Sequence, residues 1–436
     1  MPHQHPGSVL EAEGLTKNGK GRPAPVDRRP SSGKPRLRTL VLRGGLAAVA
    51  GLLTLAVPTS WAPASASSAP VPTSIGPSAT SSSRPYLPKP TGPHPVGTTS
   101  LYLKDVSRPD PWVPEAKARE LMVSLWYPAK SRSGRRAPYV TPKESELILK
   151  GKGVTSVPPD VLSRTRTNAF SDATPVGRKR TLPLVVISPG FTDPRSSLTA
   201  LAEELASRGY VVAGVDHTYE TFATTFPGGR LTTCAACELD PDDDFGKKAV
   251  ENRAVDVSFV LDELTGPHST WKGASLIDPS RVAMVGASLG GASAAEAMLK
   301  DSRVRGGINM DGFMFAPIPA SGLARPFLFL GQTVHSPGGQ DTTWDRDWEH
   351  LTGWKRWLVA AGAVHASFTD YDLLAQQIGV NLGGDLSGPR AVEITRRYVR
   401  AFLDLHLRGT AQPLLEKPSA RYPEVRFCAP ETKTCA

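Results

Sequence analysis

The stretch RVAMVGASLGGASAAEAMLK, residues 281–300, passes from an apolar strand pattern directly into a helical pattern. At the junction lies the pentapeptide GASLG (286–290), which has the form G-x-S-x-G. A turn of this form holds its serine in a strained backbone conformation, and the small residues on either side let strand and helix approach closely. A buried helix that merely begins with small residues would not explain the strand that enters it. The stretch therefore predicts that Ser288 is a nucleophile.

Strand patterns alternate with helical patterns along most of the chain. Residues 121–129 alternate like a half-exposed strand, and the more continuously apolar segments, typical of strands buried on both faces, are 182–190, 209–217, 281–288, 303–311, 325–332 and 355–365. Helical spacing of apolar residues predicts helices over 196–208, 247–264 and 391–408. This alternation predicts a single α/β domain with a mostly parallel central sheet flanked by helices.

A serine hydroxyl becomes a strong nucleophile only when a base takes its proton, so a histidine is needed downstream. His365 ends the apolar segment 355–365, which is the position expected for the base. His335 also follows a strand and is the alternative base. His350 and His406 lie in helical stretches, and we expect them to be surface or packing residues.

The imidazole in turn needs a carboxylate that orients it and stabilises its charged form. Asp311 ends the strand that follows the nucleophile strand, and we predict that it is this acid. A later acid remains open, because many members of this fold carry it one strand further on. Asp341, Asp345 and Asp347 lie in a polar stretch and are expected to cap helices or face solvent.

Two backbone N–H groups are needed to stabilise the oxyanion of a tetrahedral intermediate. One is predicted to be the amide of Leu289, directly after the nucleophile. The other is predicted to be the amide of Phe191, in the loop ISPGFTDPRSS (187–197) that follows an early strand. Gly190 permits the turn there, and an ordinary Pro-Gly turn is the alternative interpretation of this loop.

The N-terminal part of the chain differs in composition from the rest. The formal net charge is +10, and nine Lys/Arg against three Asp/Glu in residues 1–66 account for most of it. Arginines precede the uncharged run GGLAAVAGLLTLAV (44–57), a pattern typical of an export signal, with an uncleaved membrane anchor as the alternative. Residues 67–98, rich in Pro, Ser, Thr and Gly, predict a flexible linker. The folded catalytic domain is then expected over 99–410 and a C-terminal tail over 411–436.

The four cysteines fit an exported protein, because disulfides persist in oxidising compartments. Cys234 and Cys237 form a C-x-x-C, and Cys428 and Cys435 lie near the end of the chain. Four cysteines allow three pairings. We favour two local disulfides that staple loops, over cross-pairing or free thiols.

Little in the sequence favours nucleic-acid or metal binding. The body of the chain has no basic helix and no basic-aromatic stripe of the kind that binds nucleic acid. The acidic residues Asp240, Asp242, Asp244 and Glu251 follow the spacing of a calcium loop, but Phe245 stands where that loop requires glycine. We therefore expect no metal and no cofactor.

Four segments, in this order, resemble the plasma-type (isoform II) platelet-activating factor acetylhydrolases and their bacterial relatives. They are LPLVVISPGFTDPRSSLTALAEELASRGYVVAGVDH (182–217), RVAMVGASLGG (281–291), GGINMDGFMF (306–315) and GAVHASFTD (362–370). The resemblance spans about residues 95–408. It implies an α/β-hydrolase fold, with Ser288, Asp311 and His365 as the catalytic triad and the amides of Phe191 and Leu289 as the oxyanion hole.

The resemblance also implies a secreted serine esterase that acts through an acyl-enzyme on short-acyl esters, as do acetylhydrolases that remove an sn-2 acetyl group from phospholipids. The expected partner is thus a small-molecule or lipid ester, with transient contact to a lipid surface. Ala287 and Pro189 depart from the histidines that the family commonly carries at these two positions, so a lipase or a polyester or cutin hydrolase is the alternative. A catalytically inactive hydrolase fold used for binding is a third reading.

Aromatic residues near the predicted site suggest where the acyl group ends. Phe313, Met314 and Phe315 come directly after the predicted acid and are expected to limit the acyl cavity. Four of the eight tryptophans lie close before His365, at Trp344, Trp348, Trp354 and Trp357, and they either line an acyl pocket or pack in the core.

Overall fold

The computed structural model describes residues 84–239 and 244–436, and the predicted export segment 1–66 lies outside them. The strands are β1 (Val96–Asp105), β2 (Arg119–Pro128), β3 (Phe170–Ser171), β4 (Leu182–Ser188), β5 (Val211–His217), β6 (Thr224–Thr225), β7 (Leu231–Thr232), β8 (Ile277–Ala287), β9 (Val304–Met310), β10 (Phe327–Gly331), β11 (Lys355–Ala360), β12 (Val425–Ala429) and β13 (Thr434–Cys435). The α-helices are α1 (Pro142–Gly151), α2 (Thr199–Ser207), α3 (Phe245–Thr265), α4 (Leu289–Lys300), α5 (Thr343–Trp348), α6 (Asp370–Gln377) and α7 (Gly388–Arg408).

Eleven of the described strands form one sheet, in the order β13-β12-β11-β10-β9-β8-β4-β5-β2-β1-β3. The six central strands from β5 to β11 are mutually parallel, whereas β2 and β12 pair antiparallel at the two flanks. Chain order reverses beside β4, because β5 lies on one side of it and β8 on the other. Ligands of open α/β sheets bind at the carboxyl ends of the strands at such a reversal.

The central strands are buried on both faces, which is why they are continuously apolar in sequence. In β4, Val185 and Ile187 pack on the face covered by α2 and α7, whereas Leu184 and Val186 pack on the face covered by α3 and α4. Helices on both faces of a mostly parallel sheet confirm the predicted fold class.

The ordered domain begins earlier than the composition indicates. Residues 84–98 were expected to belong to the linker, but Leu87 is buried and its amide donates to the carbonyl of Arg166. Strand β1 begins at Val96 and pairs with the whole of β2. Few β1 side chains are buried, so its apolar pattern is too weak to distinguish it from a linker.

Both disulfides are local, as predicted: Cys234 bonds Cys237, and Cys428 bonds Cys435. The second one closes the hairpin of β12 and β13, whose first strand pairs with β11. The tail after α7 therefore forms the end of the main sheet.

None of the helices in the described parts of the chain is both long enough and apolar enough to cross a membrane.

Candidate active site

Ser288 occupies the sharp turn between β8 and α4, as predicted. Its backbone has φ 54° and ψ −126°, a conformation that residues with a side chain rarely adopt. A Cβ on Gly286 would overlap the backbone of Gly290, and one on Gly290 would overlap the carbonyl of Ser188. Glycine at both positions is what lets α4 leave the sheet so abruptly.

Asp311 directly follows β9 and also has a positive φ, of 59°. The carboxylate is 1% exposed, and its Oδ2 lies 2.5 Å from His365 Nδ1. Gln332 fixes it from the other side, with its amide N–H 2.7 Å from Oδ1 and its Nε2 2.9 Å from Oδ2. The predicted acid and the predicted base are thus brought together.

His365 follows β11 and begins a short 3-10 turn. Its side chain is 57% exposed, so the ring is open to solvent on the side away from Asp311. Partial burial alone would lower the pKa of His365, but the hydrogen bond and the charge of Asp311 outweigh it and raise this pKa.

Backbone contacts place Ser288 beside the acid. The amide of Ser288 donates to the carbonyl of Met310 at 2.8 Å, and a Cβ on Gly312 would overlap the carbonyl of Ser288. Ser288 thus lies against both neighbours of Asp311 in the chain. Within the described residues the Ser288 hydroxyl makes no hydrogen bond. Such catalytic bonds are commonly long in unliganded enzymes and tighten when substrate binds.

The loop after β4 approaches Ser288 from the opposite side. A Cβ on Gly190 would lie 3.3 Å from the Cβ of Ser288. The amides of Phe191 and Leu289 donate to no acceptor in the described part of the chain. The Leu289 amide also lies at the N-terminus of α4, where the helix dipole favours negative charge. Both amides are therefore free to receive an oxyanion.

A second Ser-His-Asp arrangement, which the sequence did not reveal, lies beneath this loop. Ser188 Oγ is 2.9 Å from His217 Nε2, and His217 Nδ1 is 2.7 Å from Asp256 Oδ2. Burial and the nearby Arg253 lower the pKa of His217, so the neutral ring donates to Asp256 and accepts from Ser188. Ser188 is 0% exposed, which leaves it no access to a substrate. The arrangement is therefore structural.

Arg253 connects this buried group to the loop after β4. Its Nη1 donates to the carbonyl of Pro189 at 2.5 Å and to Ser188 Oγ at 3.2 Å, and its Nε donates to Glu220 Oε2 at 2.7 Å. The backbone carbonyl of Glu220 accepts from the amide of Thr192 at 2.8 Å. Both sides of Phe191 are thus fixed by one network. The signal available in the sequence was a pair of charged residues, Arg253 and Asp256, on the helix face that otherwise carries the apolar stripe of α3.

His335, the alternative base, lies behind Asp311 and not beside Ser288. It is 1% exposed, and its Nδ1 is 2.6 Å from Asp341 Oδ2. Asp341 was expected to cap a helix or face solvent. It does accept from the amide of Thr343 in the first turn of α5, but it is buried.

Aromatic side chains pack against Phe191 in the loop after β4. The ring of Phe245 lies 5.3 Å from that of Phe191 and 5.2 Å from that of Trp112, in an apolar cluster that also contains Leu289. Of the residues expected to limit the acyl cavity, Met314 is buried, whereas Phe313 and Phe315 are each 44% exposed. Met314 therefore packs in the core and does not line an open site.

Two of the four tryptophans before His365 are core residues. Trp344 and Trp357 are fully buried and pack against Phe329, while Trp348 and Trp354 are half-buried. Core packing, one of the two alternatives for these tryptophans, holds for the buried pair.

The calcium-loop pattern falls partly outside the described residues, because 240–243 are not among them. Across 84–239 and 244–436, no group of three or more His, Cys, Asp or Glu side chains is arranged to hold a metal ion.

Comparison with known proteins shows what the chain is similar to. A solved ferulic acid esterase from Streptomyces cinnamoneus is similar at 44% identity and a TM-score of 0.71, covering 79% of this chain and 99% of that one. This similarity confirms the predicted α/β-hydrolase fold.

Curated relatives are more distant in sequence. A probable 1-alkyl-2-acetylglycerophosphocholine esterase from Arthroderma benhamiae is 28% identical over 78% of this chain and 93% of its own. A platelet-activating factor acetylhydrolase from Cavia porcellus is 23% identical over 74% of this chain and 78% of its own. These relatives and the solved esterase share ester hydrolysis, and the chain is a carboxylic ester hydrolase.

The family model described as platelet-activating factor acetylhydrolase, isoform II, matches residues 79–229 and 249–412, which is well over half of the sequence. It includes the loop after β4, the turn at Ser288, Asp311 and His365. The chain therefore belongs to the platelet-activating factor acetylhydrolase isoform II family.

Proposed function

We propose that this hydrolase is a serine esterase in which Ser288, His365 and Asp311 form the catalytic triad. The observation that carries the proposal is the 2.5 Å contact between His365 Nδ1 and Asp311 Oδ2, beside a serine held at φ 54°. The Nδ1 contact leaves the Nε2 of the exposed His365 ring as the atom that takes the serine proton.

In the proposed reaction Ser288 Oγ attacks the ester carbonyl while His365 Nε2 takes its proton. The carbonyl oxygen becomes an oxyanion that accepts hydrogen bonds from the amides of Phe191 and Leu289. His365 then gives its proton to the departing alcohol, which leaves an acyl-enzyme. A water molecule activated by the same imidazole releases the acid and restores Ser288. Asp311 holds the imidazole tautomer throughout and stabilises the imidazolium.

A short acyl group is the substrate feature we propose, as in the acetylhydrolases of the family. The segment between β9 and β10 contains no helix and so supplies no lid of the kind that opens at an oil surface. The cluster around Phe191, Phe245 and Trp112 fills space beside the proposed oxyanion hole. The lack of a helix in this segment and the aromatic cluster both favour dispersed esters over long-chain lipid films.

A hydroxycinnamoyl ester is the second candidate substrate. The observation in its favour is the 44% identity to a ferulic acid esterase over 79% of this chain.

We further propose that the protein is secreted, with residues 1–66 as the export segment. The basic residues followed by an apolar run support this, as do two disulfides of the kind that persists outside the cytosol. N-terminal sequencing of protein recovered from culture medium tests the proposal, and an intact segment 1–66 in that protein would contradict it.

The mechanism is tested by labelling with a fluorophosphonate and by the variant Ser288→Ala. We expect the label on Ser288, and we expect the variant to stay folded but to lose several orders of magnitude of ester hydrolysis, because the covalent route disappears. Ser280→Ala is the matched control, since Ser280 is an exposed residue of the same strand. Undiminished turnover in Ser288→Ala would refute the mechanism. A wild-type protein that the fluorophosphonate does not label would favour a catalytically inactive fold used for binding.

The acyl preference is tested with p-nitrophenyl esters of two to sixteen carbons, methyl ferulate and a polyester film. We expect the highest kcat/KM on acetate or butyrate, because each methylene that does not fit costs on the order of 1 kcal/mol in the transition state. A maximum on methyl ferulate would establish the second candidate. A maximum at ten carbons or more, or rapid film erosion, would favour a lipase or polyester hydrolase.

A further inference from the structure

A groove between α2, α7 and the segment before β1 collects positive charge. Its volume is about 570 Å³, and the acidic side chains that line it are Glu204 and Glu393. The basic side chains that line it are Lys89, Arg208, Arg396, Arg397, Arg400 and Arg421. The basic side chains outnumber the acidic ones by four, which is as large as the net charge of all residues after 66 together. The rest of that part of the chain is therefore neutral on balance, and its excess charge is concentrated in this groove.

The most deeply buried of these cations is Arg396, which is 7% exposed. Its Nε, Nη1 and Nη2 donate to the backbone carbonyls of Ala200, Lys89 and Pro88 at 2.9, 3.3 and 3.0 Å. A guanidinium has five N–H groups, of which these carbonyls use three. The carbonyls fix the side chain but carry no net charge. Arg396 is thus a fixed, buried cation that forms no ion pair within residues 84–239 and 244–436.

Arg400 follows Arg396 by one turn of α7, so both side chains leave the same face of the helix. Arg400 shares a carboxylate with Arg208: its Nη1 lies 3.4 Å from Glu204 Oε1, and Arg208 Nε lies 3.1 Å from the same oxygen. Arg400 Nε is shielded from solvent and makes no hydrogen bond in the described part of the chain. Asp404 Oδ2 lies 3.8 Å from it, which is too far for such a bond. Arg400 therefore has an N–H group left for another acceptor.

The cations of the groove destabilise one another. Burial lowers the pKa of Arg396 and that of Arg400. The charges of Arg397 and Arg208 lower the pKa of Arg400 further. Arg397 itself forms neither an ion pair nor a side-chain hydrogen bond with any described residue. An anion bound among these guanidiniums would offset both the burial and the repulsion.

We propose that this groove binds a phosphate-bearing ligand, which Arg396, Arg397 and Arg400 hold by its phosphate group. A guanidinium presents a planar fork of N–H donors that matches the oxygens of a phosphate. A phosphate monoester carries more negative charge than a carboxylate and so offsets more of the excess. The volume of the groove lies in the range of small-molecule sites. None of its lining residues belongs to the candidate active site, so the inference does not depend on the esterase mechanism.

The test is isothermal titration calorimetry of the protein with sodium pyrophosphate at low ionic strength. We expect saturable binding that added salt weakens, because salt screens the charges of the groove. The double variant Arg397→Gln, Arg400→Gln should lower the affinity by about tenfold or more, since charge-assisted hydrogen bonds are lost. Arg396 is left intact because its contacts with the three carbonyls support the fold. Urea unfolding checks the double variant, and Arg397→Gln alone replaces it if the double variant does not fold.

Arg281→Gln is the matched control for the loss of an arginine charge. Arg281 pairs with Asp278 in β8 and does not line the groove. Its affinity for pyrophosphate should equal that of wild type. An affinity loss in Arg281→Gln as large as in the groove variant would overturn the inference, because the effect would then reflect overall charge.

Sedimentation with vesicles distinguishes a lipid headgroup from a soluble phosphate compound as the source of the phosphate. The vesicles contain phosphatidylcholine alone, or phosphatidylcholine with phosphatidylglycerol. Binding to the anionic vesicles that the groove variant loses and Arg281→Gln keeps would assign the phosphate to a lipid. Pyrophosphate binding without vesicle binding would assign it to a soluble compound. Absence of both kinds of binding in wild type, or equal binding in wild type and the groove variant, would overturn the inference.

Discussion

Replacing Asp311 by asparagine tests the triad most directly, because both oxygens of this carboxylate act as acceptors. Oδ2 receives His365 Nδ1 and Gln332 Nε2, and Oδ1 receives the Gln332 amide. An asparagine has one acceptor oxygen and one NH2 group, so either orientation of its amide points N–H groups at a donor. Asp311→Asn therefore cannot reproduce the native contacts.

The magnitude follows from the tautomer of His365. If the asparagine NH2 faces Nδ1, the imidazole must carry its proton on Nε2, the nitrogen that has to accept the proton from Ser288. The corresponding substitution in serine proteases lowers kcat by about 10⁴. With Gln332 able to hold the opposite amide orientation part of the time, we expect a loss of about 10³ to 10⁴ in kcat, or roughly 4–5.5 kcal/mol in the barrier.

The assay is steady-state hydrolysis of p-nitrophenyl acetate, with urea unfolding to confirm that the variant is folded. Asp385→Asn is the control, since Asp385 is an exposed carboxylate close in sequence to His365. A loss in Asp311→Asn of less than tenfold, or an equal loss in Asp385→Asn, would refute Asp311 as the acid.

Three further predictions concern residues around the site and in the core. Arg253→Met should lower kcat at least tenfold and lower the free energy of unfolding by about 3–5 kcal/mol, because it breaks a buried ion pair with Glu220 and removes the donor to the Pro189 carbonyl. A variant whose kcat and free energy of unfolding in urea equal those of wild type would contradict this. Gly290→Ala should cost about 1–3 kcal/mol of unfolding free energy, since its Cβ would overlap the Ser188 carbonyl, and unchanged unfolding would count against that overlap. His406 packs against Trp354 and Phe402, and burial lowers its pKa to about 4. Between pH 6.5 and 4 the unfolded state therefore binds more protons than the folded state, so stability falls as the pH drops through that window. The fall in melting temperature from pH 7 to 4 should be smaller in His406→Gln than in wild type, and an equal fall would show that another group is responsible.

The predicted elements that the structure reproduces best are those buried on both faces. Strands β4, β5, β8, β9 and β10 lie within the predicted segments to within a few residues, because continuous apolar runs between turn residues are hard to misplace. Strand β1 and helix α1 were not predicted. Each has only a few buried side chains, and α1 depends on a capping box at Thr141 and Glu144 more than on apolar spacing.

In the candidate site, too, some residues could be predicted from local sequence patterns and others could not. Ser288, Asp311 and His365 each follow a recognisable strand, so their order in the chain indicates their place at one edge of the sheet. The contacts of His335 with Asp311, and of Arg253 with Pro189, join residues 24 and 64 positions apart. No local pattern encodes such pairs, because they depend on how β10 and α3 pack on the sheet. A buried charge is visible in a sequence only as an exception to apolar spacing.

The disulfide-closed hairpin of β12 and β13 affects how the protein behaves at high concentration. Without it, β11 would be the edge of the main sheet and would offer unpaired N–H and C=O groups of a strongly apolar strand to any second molecule. The hairpin occupies that edge with a short strand in which Val425 alone is buried, and the Cys428–Cys435 bond links its two strands. Self-association through an exposed β-edge of β11 is thereby discouraged.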